Sequence, residues 1–269
     1  MLTITTLASG SGGNSLLVSG GGTHILIDAG ISYRRITTAL NQLNIDPATL
    51  SAVLVTHEHT DHVCGLSTMI KKLSVPIYAS AGTAYQLCHR IGLPADRIYP
   101  FRAGIGFSVG ALRCTSFSTP HDAADSVGYT VALDGEKMAL ATDLGHVTDT
   151  VRRAVLGSQV VVLESNHDID WLHSGPYPYS LKQRILGDRG HLCNEAGAQL
   201  AAQAVQAGAH TVILAHLSRE NNTPVRAYDV CSRHLSAMGV DPEHDIRLTV
   251  APPTECGKTY AANREESPC

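Results

Sequence analysis

Residues 54–66 read LVTHEHTDHVCGL. The apolar run SAVLVT stops at His57, and the next positions supply His59, Asp61 and His62. A strand ending in a block of imidazoles and a carboxylate puts metal-ligating groups on a loop that a sheet holds in place. In an extended segment residues i and i+2 point the same way, so His57 and His59 are expected to reach one ion. Asp61 and His62 fall where the following helix would begin and are expected to face a second ion. Glu58 points opposite to its neighbours and is left out of the ligand set.

Three later strand ends supply partners. CTSFSTP runs into His121, KMALAT into Asp143 and TVILA into His216. Taken singly, His121 or His216 reads as readily as a satisfied core or surface histidine. Taken together, His57, His59 and His121 would form one site and Asp61, His62 and His216 the other, with Asp143 bridging through its two oxygens. Two divalent ions about 3.5–4 Å apart would share and activate one water. Nitrogen and oxygen donors without Cys suit Zn, Mn or Fe. Asp28, which ends THILID, is expected to hold a ligand imidazole in its tautomer, unless it is an ordinary strand-end carboxylate.

Around this block, β-rich and helical stretches alternate. LTITTLAS, NSLLVSG and THILIDAG read as strands separated by the Gly clusters SGSGGN and SGGGT. Helix-like ISYRRITTALNQLN and GLSTMIKKLS flank SAVLVT, and TAYQLCHRIGL follows the strand VPIYAS. Strands GFSVGALRCTSFSTP and the hairpin SVGYTVALDGEKMALATD, turned at Asp134–Gly135, open a second half. There the strands SQVVVLE, TVILAH and IRLTVAP alternate with the helices DTVRRAVLG, LKQRILGD, NEAGAQLAAQAVQAG and VRAYDVCSRHLSAMG. Two β-rich halves that end in helices imply two sheets packed face to face with helices outside. Residues 1–256 are expected to form one domain, followed by a frayed polar tail, 257–269.

Composition excludes several classes. The 269 residues are 43% hydrophobic and 16% charged, which is globular. No apolar stretch is long enough to span a membrane and no secretory leader precedes the first strand, so a cytoplasmic protein is expected. The 7 cysteines are dispersed without a CxxC pair, which favours reduced thiols over a disulfide framework or a thiolate finger. The net charge of −4 gives no global pull on nucleic acid. Any such role would need a local patch, drawn from Arg34–Arg35, Lys71–Lys72, Arg152–Arg153 or the Lys182, Arg184 and Arg189 group, each of which also suits a solvated helix face.

The set His57-x-His59-x-Asp61-His62 with His121, Asp143 and His216 resembles the metallo-β-lactamase superfamily over nearly the whole chain. The resemblance implies an α/β fold, a four-layer αββα sandwich of two mixed β-sheets with outer helices, and the same ligand roles. The stretches SGSGGNS, LIDAGIS, THEHTDH, ESNHD, RGHLCNEAGA and AHLSRENNTP are similar to the YycJ (WalJ) subgroup, which implies 5′→3′ exonuclease activity on DNA. Cys193 stands where the subgroup usually has Ser. The modest spacing from Asp143 to His216 leaves no room for the inserted cap of larger nucleic-acid-processing relatives.

Other residues have both a functional and an ordinary reading. The SGSGGNS loop, with Ser11 and Asn14, would lay amides against a phosphate or form a plain turn. Asn166, His167 and His191 would meet the scissile group, with His167 or His191 as general acid beside Asp61, or make loop hydrogen bonds. Arg219, Asn221 and Asn222 would bind phosphate oxygens or cap a helix. Cys64 lies beside the metal block, although an inert thiol is its ordinary reading. Three functions follow: a dinuclear-metal phosphodiesterase acting on DNA; a small-molecule hydrolase of cyclic phosphodiesters, lactones or thioesters; and, disfavoured by the full ligand set, a non-catalytic interaction protein.

Overall fold

A computed structural model describes residues 1–263. The first sheet is built from β1 (Thr3–Ala8), β2 (Ser15–Gly20), β3 (Thr23–Ile27), β4 (Leu50–Val55), β5 (Ile77–Ser80) and β6 (Ile98–Phe101). The second sheet contains β7 (Gly106–Val109), β8 (Leu112–Ser118), β9 (Val127–Leu133), β10 (Glu136–Ala141), β11 (Val160–Glu164), β12 (Thr211–Ala215) and β13 (Arg247–Val250). A last strand, β14 (Thr259–Ala261), returns to β1, giving the orders β14-β1-β2-β3-β4-β5-β6 and β13-β12-β11-β10-β9-β8-β7.

Each sheet has the same internal plan. Three antiparallel pairings lead into three parallel ones, at β3-β4-β5-β6 and at β10-β11-β12-β13. Parallel neighbours need crossovers, which here are helices packed on the outer face. In the first half these are α1 (Tyr33–Gln42), α2 (Thr60–Val63), α3 (Leu66–Lys72) and α4 (Ala81–His89). In the second they are α5 (Asp149–Val155), α6 (Ile169–Ser174), α7 (Tyr179–Leu186), α8 (Asn194–Gln206) and α9 (Pro224–Ala237).

Three apolar clusters hold the four layers together. The central one joins inward-facing residues of both sheets, among them Ile4, Val18, Ile25, Leu54, Tyr129 and Val162. Their strand neighbours Leu17, Leu26, Val53 and Val161 face the outer helices, as side-chain alternation requires. Both faces of the parallel strands are thus covered, which explains why SAVLVT, SQVVVLE and TVILAH read as continuous apolar runs. Tyr129 is fully buried, and its hydroxyl donates to the carbonyl of Val55 across the sheet interface (2.7 Å).

Two expectations change. The stretch expected to fray from residue 257 pairs with β1 through Tyr260, which closes the central core, and Ala262 N donates to the Leu2 carbonyl. Its remainder, 264–269, lies outside the described residues. The sequence also concealed β6, because a short edge strand containing Pro100 resembles a loop.

Candidate metal centre

Both sheets open their functional ends on one edge. Asp28 follows β3, Thr56 and His57 follow β4, His121 follows β8, Asp143 follows β10, Glu164 ends β11 and His216 follows β12. Placing ligands at the carboxyl ends of parallel strands is the general habit of such sheets. Three of these residues, Asp28, Asp143 and His216, take positive φ values of 64°, 60° and 58°. Non-glycine residues in this region cluster where the surrounding structure enforces a functional geometry. The turn after β4 passes into α2 with His59 at its N-cap, so Asp61 and His62 sit in the first turn, as expected.

The structure brings the two anticipated triads together. His57, His59 and His121 each present one nitrogen within 4.8 Å of the others, as do the donors of Asp61, His62 and His216. Asp143 joins them, with its carboxylate 3.5 Å from His62 Nε2, 3.7 Å from His121 Nε2 and 3.6 Å from His216 Nε2. Separations near 3.3–3.5 Å recur at His59–His121, His62–Asp61 and His216–Asp61. Such edges fit donors about 2.0–2.2 Å from a shared ion.

The opposite nitrogen of each buried imidazole is already engaged. Asp28 accepts from Thr56 N and Thr56 Oγ1 (both 2.8 Å) and from His62 Nδ1 (2.7 Å). With its proton given to Asp28, the Thr56 hydroxyl accepts from His57 Nδ1 (3.0 Å). His121 Nδ1 donates to the Gly190 carbonyl (3.1 Å), and His216 Nδ1 donates to Glu164 (2.9 Å). Each Nε2 lone pair is thereby turned inward, the arrangement that orients metal-binding histidines. His57 Nε2, His216 Nε2 and Asp143 Oδ2 are buried with no hydrogen-bond partner, so their lone pairs suit a cation.

The electrostatics agree. Burial opposes charge on His62, but Asp143, Asp28 and Asp61 more than offset it and push its pKa well above the usual imidazole value. Burial likewise works against charged His216, yet Asp143, Asp61 and Glu164 raise it to about 10. Asp143, although buried, is held well below the carboxylate range by His216, His62, His57 and His121. Asp61 is held low against its burial by His62 and His216. A field that favours protons at these points favours any cation there. His57 is the counterexample: burial and His62 push it well down, leaving it a neutral donor.

Glu164 is the functional residue that sequence reasoning missed. It is fully buried and accepts from His191 Nδ1 (2.8 Å), His216 Nδ1, Leu144 N (2.8 Å) and Leu192 N (3.1 Å). His191 and His216 override the burial penalty and lower its pKa to about 2. The one available signal was a strand, VVVLE, ending in a carboxylate as THILID does. His191 stays partly exposed at the mouth, its ring 5.0 Å from His121 and 5.3 Å from His216.

Several residues expected to contact substrate do other work. Asn14 is buried; its amide nitrogen lies 3.2 Å from His62 Nε2 and 3.4 Å from Asp61 Oδ2, while its side-chain oxygen accepts from Gly10 N. Ser9 Oγ accepts from His216 N. The SGSGGNS turn therefore spends these groups on tying both sheets to the centre. Close approach explains Gly30 beside it, where a Cβ would fall 1.7 Å from the Asp61 carbonyl oxygen. Asn166 donates to the His216 carbonyl (2.9 Å). Asn222 exchanges amide hydrogen bonds with Asn194 and donates to Ser165 O and Asn166 O, so a buried network consumes it. Asn221 is fully buried too. Ser11 and Arg219 stay exposed at the rim, the guanidinium lying against Gly12 where a Cβ would sit 2.1 Å from it. His167 stands outside the converging groups, in the wall of a neighbouring cavity, and burial lowers its pKa to about 4, which ill suits a proton donor near neutrality. Cys64 is exposed, and burial and Asp61 raise its pKa, which disfavours the reactive thiolate. Of the basic groups, Arg189 donates to the His121 carbonyl (2.8 Å) and Arg184 pairs with Asp122.

Residues 23–217 match the family model described as a beta-lactamase superfamily domain. The chain is 39% identical over 239 residues to the exodeoxyribonuclease YycJ of Bacillus anthracis, covering 88% of this chain and 90% of that protein. It is 35% identical over 242 residues to the exodeoxyribonuclease WalJ of Streptococcus pneumoniae, covering 87% and 90% respectively. Among solved structures, the metallo-beta-lactamase fold protein YhfI from Bacillus subtilis superposes with a TM-score of 0.70 at 15% identity, covering 97% of this chain and 100% of that one. That likeness bears on the fold alone.

Proposed function

The chain belongs to the metallo-β-lactamase superfamily, and on that premise we propose that it is a metal-dependent exodeoxyribonuclease, a cytoplasmic hydrolase that shortens DNA from a 5′ end. The observation that carries this reading is the convergence of inward-facing Nε2 atoms from His57, His62, His121 and His216 on the Asp143 carboxylate, each imidazole anchored by its other nitrogen. His57, His59 and His121 would hold one divalent ion and Asp61, His62 and His216 the other, with Asp143 shared; Zn, Mn and Fe fit the donors. When bound, such a pair neutralises the phosphodiester and lowers the pKa of an attacking water.

The remaining chemistry falls to the chain. The His191 Nδ1 is tied to Glu164, which leaves Nε2 free, and in this reading Nε2 would protonate the departing 3′ oxygen. The Glu164 carboxylate accepts from Nδ1 and so holds the ring in that orientation. Arg219 and Ser11, on the rim, are the exposed groups left to meet backbone phosphates. The 39% identity to an exodeoxyribonuclease supports DNA as the substrate class, which the metal centre by itself does not fix.

The test is digestion of single strands labelled at the 5′ or the 3′ end, with chelated protein, with Zn²⁺ or Mn²⁺ restored, and with His59→Ala. Loss of 5′ label as mononucleotide, dependent on metal and on His59, is expected. Turnover of lactones or thioesters with no attack on DNA would overturn the reading in favour of a small-molecule hydrolase.

A further inference from the structure

A cavity of about 400 Å³ adjoins the centre, and nothing above assigns it a role. One wall is the His167 ring, 1% exposed, whose Nδ1 and Nε2 both lack a hydrogen-bond partner. His191 lies in the wall between this cavity and the metal-ligating groups. The remaining surface mixes apolar Val147, Ile169, Leu186, Leu192 and Leu200 with polar His146, Gln199 and Gln203. Arg152 also lines it, but its guanidinium is engaged by Gln203 (2.9 Å) and Asp149 (2.9 Å).

We propose that this cavity receives the heterocyclic base of the strand's terminal nucleotide, and so fixes the end of the strand while His191 meets its 3′ oxygen. The proposal rests on the exonuclease reading and deepens it. The volume lies within the range of small-ligand sites. Apolar walls take the faces of a planar heterocycle, and a neutral imidazole offers one of its two unpartnered nitrogens to its edge. The Arg152 guanidinium in this lining is already shared between Asp149 and Gln203, so a phosphate is the poorer occupant.

The test compares two 5′-phosphorylated single strands on the metal-loaded protein, one intact and one abasic at its first residue. The intact strand is expected to bind about tenfold more tightly. The variant Ala196→Trp fills the cavity from α8 and touches none of the metal-ligating groups. It should abolish that preference, and titration with free 2′-deoxyadenosine should show the same loss. Hydrolysis of bis(p-nitrophenyl) phosphate, a diester without a base, should stay within about twofold, which reports an intact fold and centre. Equal binding of the intact and abasic strands by the wild-type protein overturns the proposal, whatever the variant does. If deoxyadenosine binds and Ala196→Trp removes it while DNA is never digested, the cavity assignment stands and the exonuclease reading fails. If DNA is digested from the 5′ end with no preference for a terminal base, the reverse holds.

Discussion

One carboxylate oxygen serves two histidines: Glu164 Oε1 accepts from Nδ1 of His216 at 2.9 Å and from Nδ1 of His191 at 2.8 Å. The partly exposed His191 and the buried His216 are thereby fixed by the same atom, at the end of β11. Neutralising that atom should disturb both. Glu164→Gln keeps the volume but removes the charge, and its NH2 must face either the two histidines or the Leu144 and Leu192 amides, which all donate. Metal affinity is expected to fall about 10–100-fold, together with the rate at saturating metal. Titration of the chelated variant with Zn²⁺ beside single-turnover digestion separates the two effects; wild-type affinity would show that His216 needs no such partner.

Asp28 makes a different prediction, because its backbone limits what can replace it. At φ 64° it occupies a region that Asp and Asn tolerate far better than branched residues. Asp28→Asn is expected to fold, since its oxygen still accepts from Thr56 N. Its NH2 then stands where Oδ2 was and can accept from neither Thr56 Oγ1 nor His62 Nδ1, so His62 is free to turn. Digestion should slow by about 10–100-fold with little change in the denaturation midpoint. Asp28→Val should instead lower that midpoint.

Acid should find His167 before it finds the carboxylates. Its folded pKa of about 4 lies below the ordinary 6.5, so the unfolded chain binds its proton first. The stability it contributes is full above pH 6.5 and is lost as pH falls from there towards 4, on the order of 3 kcal/mol in all. Glu164, at about 2, loses its contribution only below the ordinary 4.5. Denaturation of chelated protein across pH 7 to 4 should show this slope, and His167→Leu should flatten it. A variant as acid-sensitive as the wild type would place the responsible group elsewhere.

These three residues show how unevenly the chain discloses its centre. The candidate ligands were legible because His57, His121, Asp143 and His216 each follow a strand and His59, Asp61 and His62 share one short turn with His57, and strand ends at one sheet edge converge whatever the loops do. Glu164 also ends such a run, but its meaning depends on His191 and His216, 27 and 52 residues further on, and only the fold unites them. Asn14, Asn166 and Asn222 had two readings in the sequence for the converse reason. An amide suits a phosphate as well as a buried carbonyl, and burial is a property of the packed chain. The two sheets and most helices were readable from their apolar periods. β14 was not, because TYA in a polar tail becomes a strand only when β1 offers it an edge.

Removing metal should cost the fold as well as the activity. Asp143 and Glu164 are 2% and 0% exposed, and buried carboxylates are tolerated only beside compensating charge. In the chelated protein that charge comes from protons on His62 and His216, whose raised pKa values mark the same demand. Ions that bind the native state alone stabilise it by mass action, by about 4 kcal/mol at a thousandfold excess over Kd. In a chain of this length that corresponds to a rise of about 10 °C in Tm. Calorimetry of chelated protein before and after adding Zn²⁺ or Mn²⁺ should show the rise, and Asp143→Asn, which removes the bridging charge, should reduce it to less than half. A midpoint indifferent to chelation would mean that the converging imidazoles answer to protons alone, and the hydrolytic reading would lose its chemical basis.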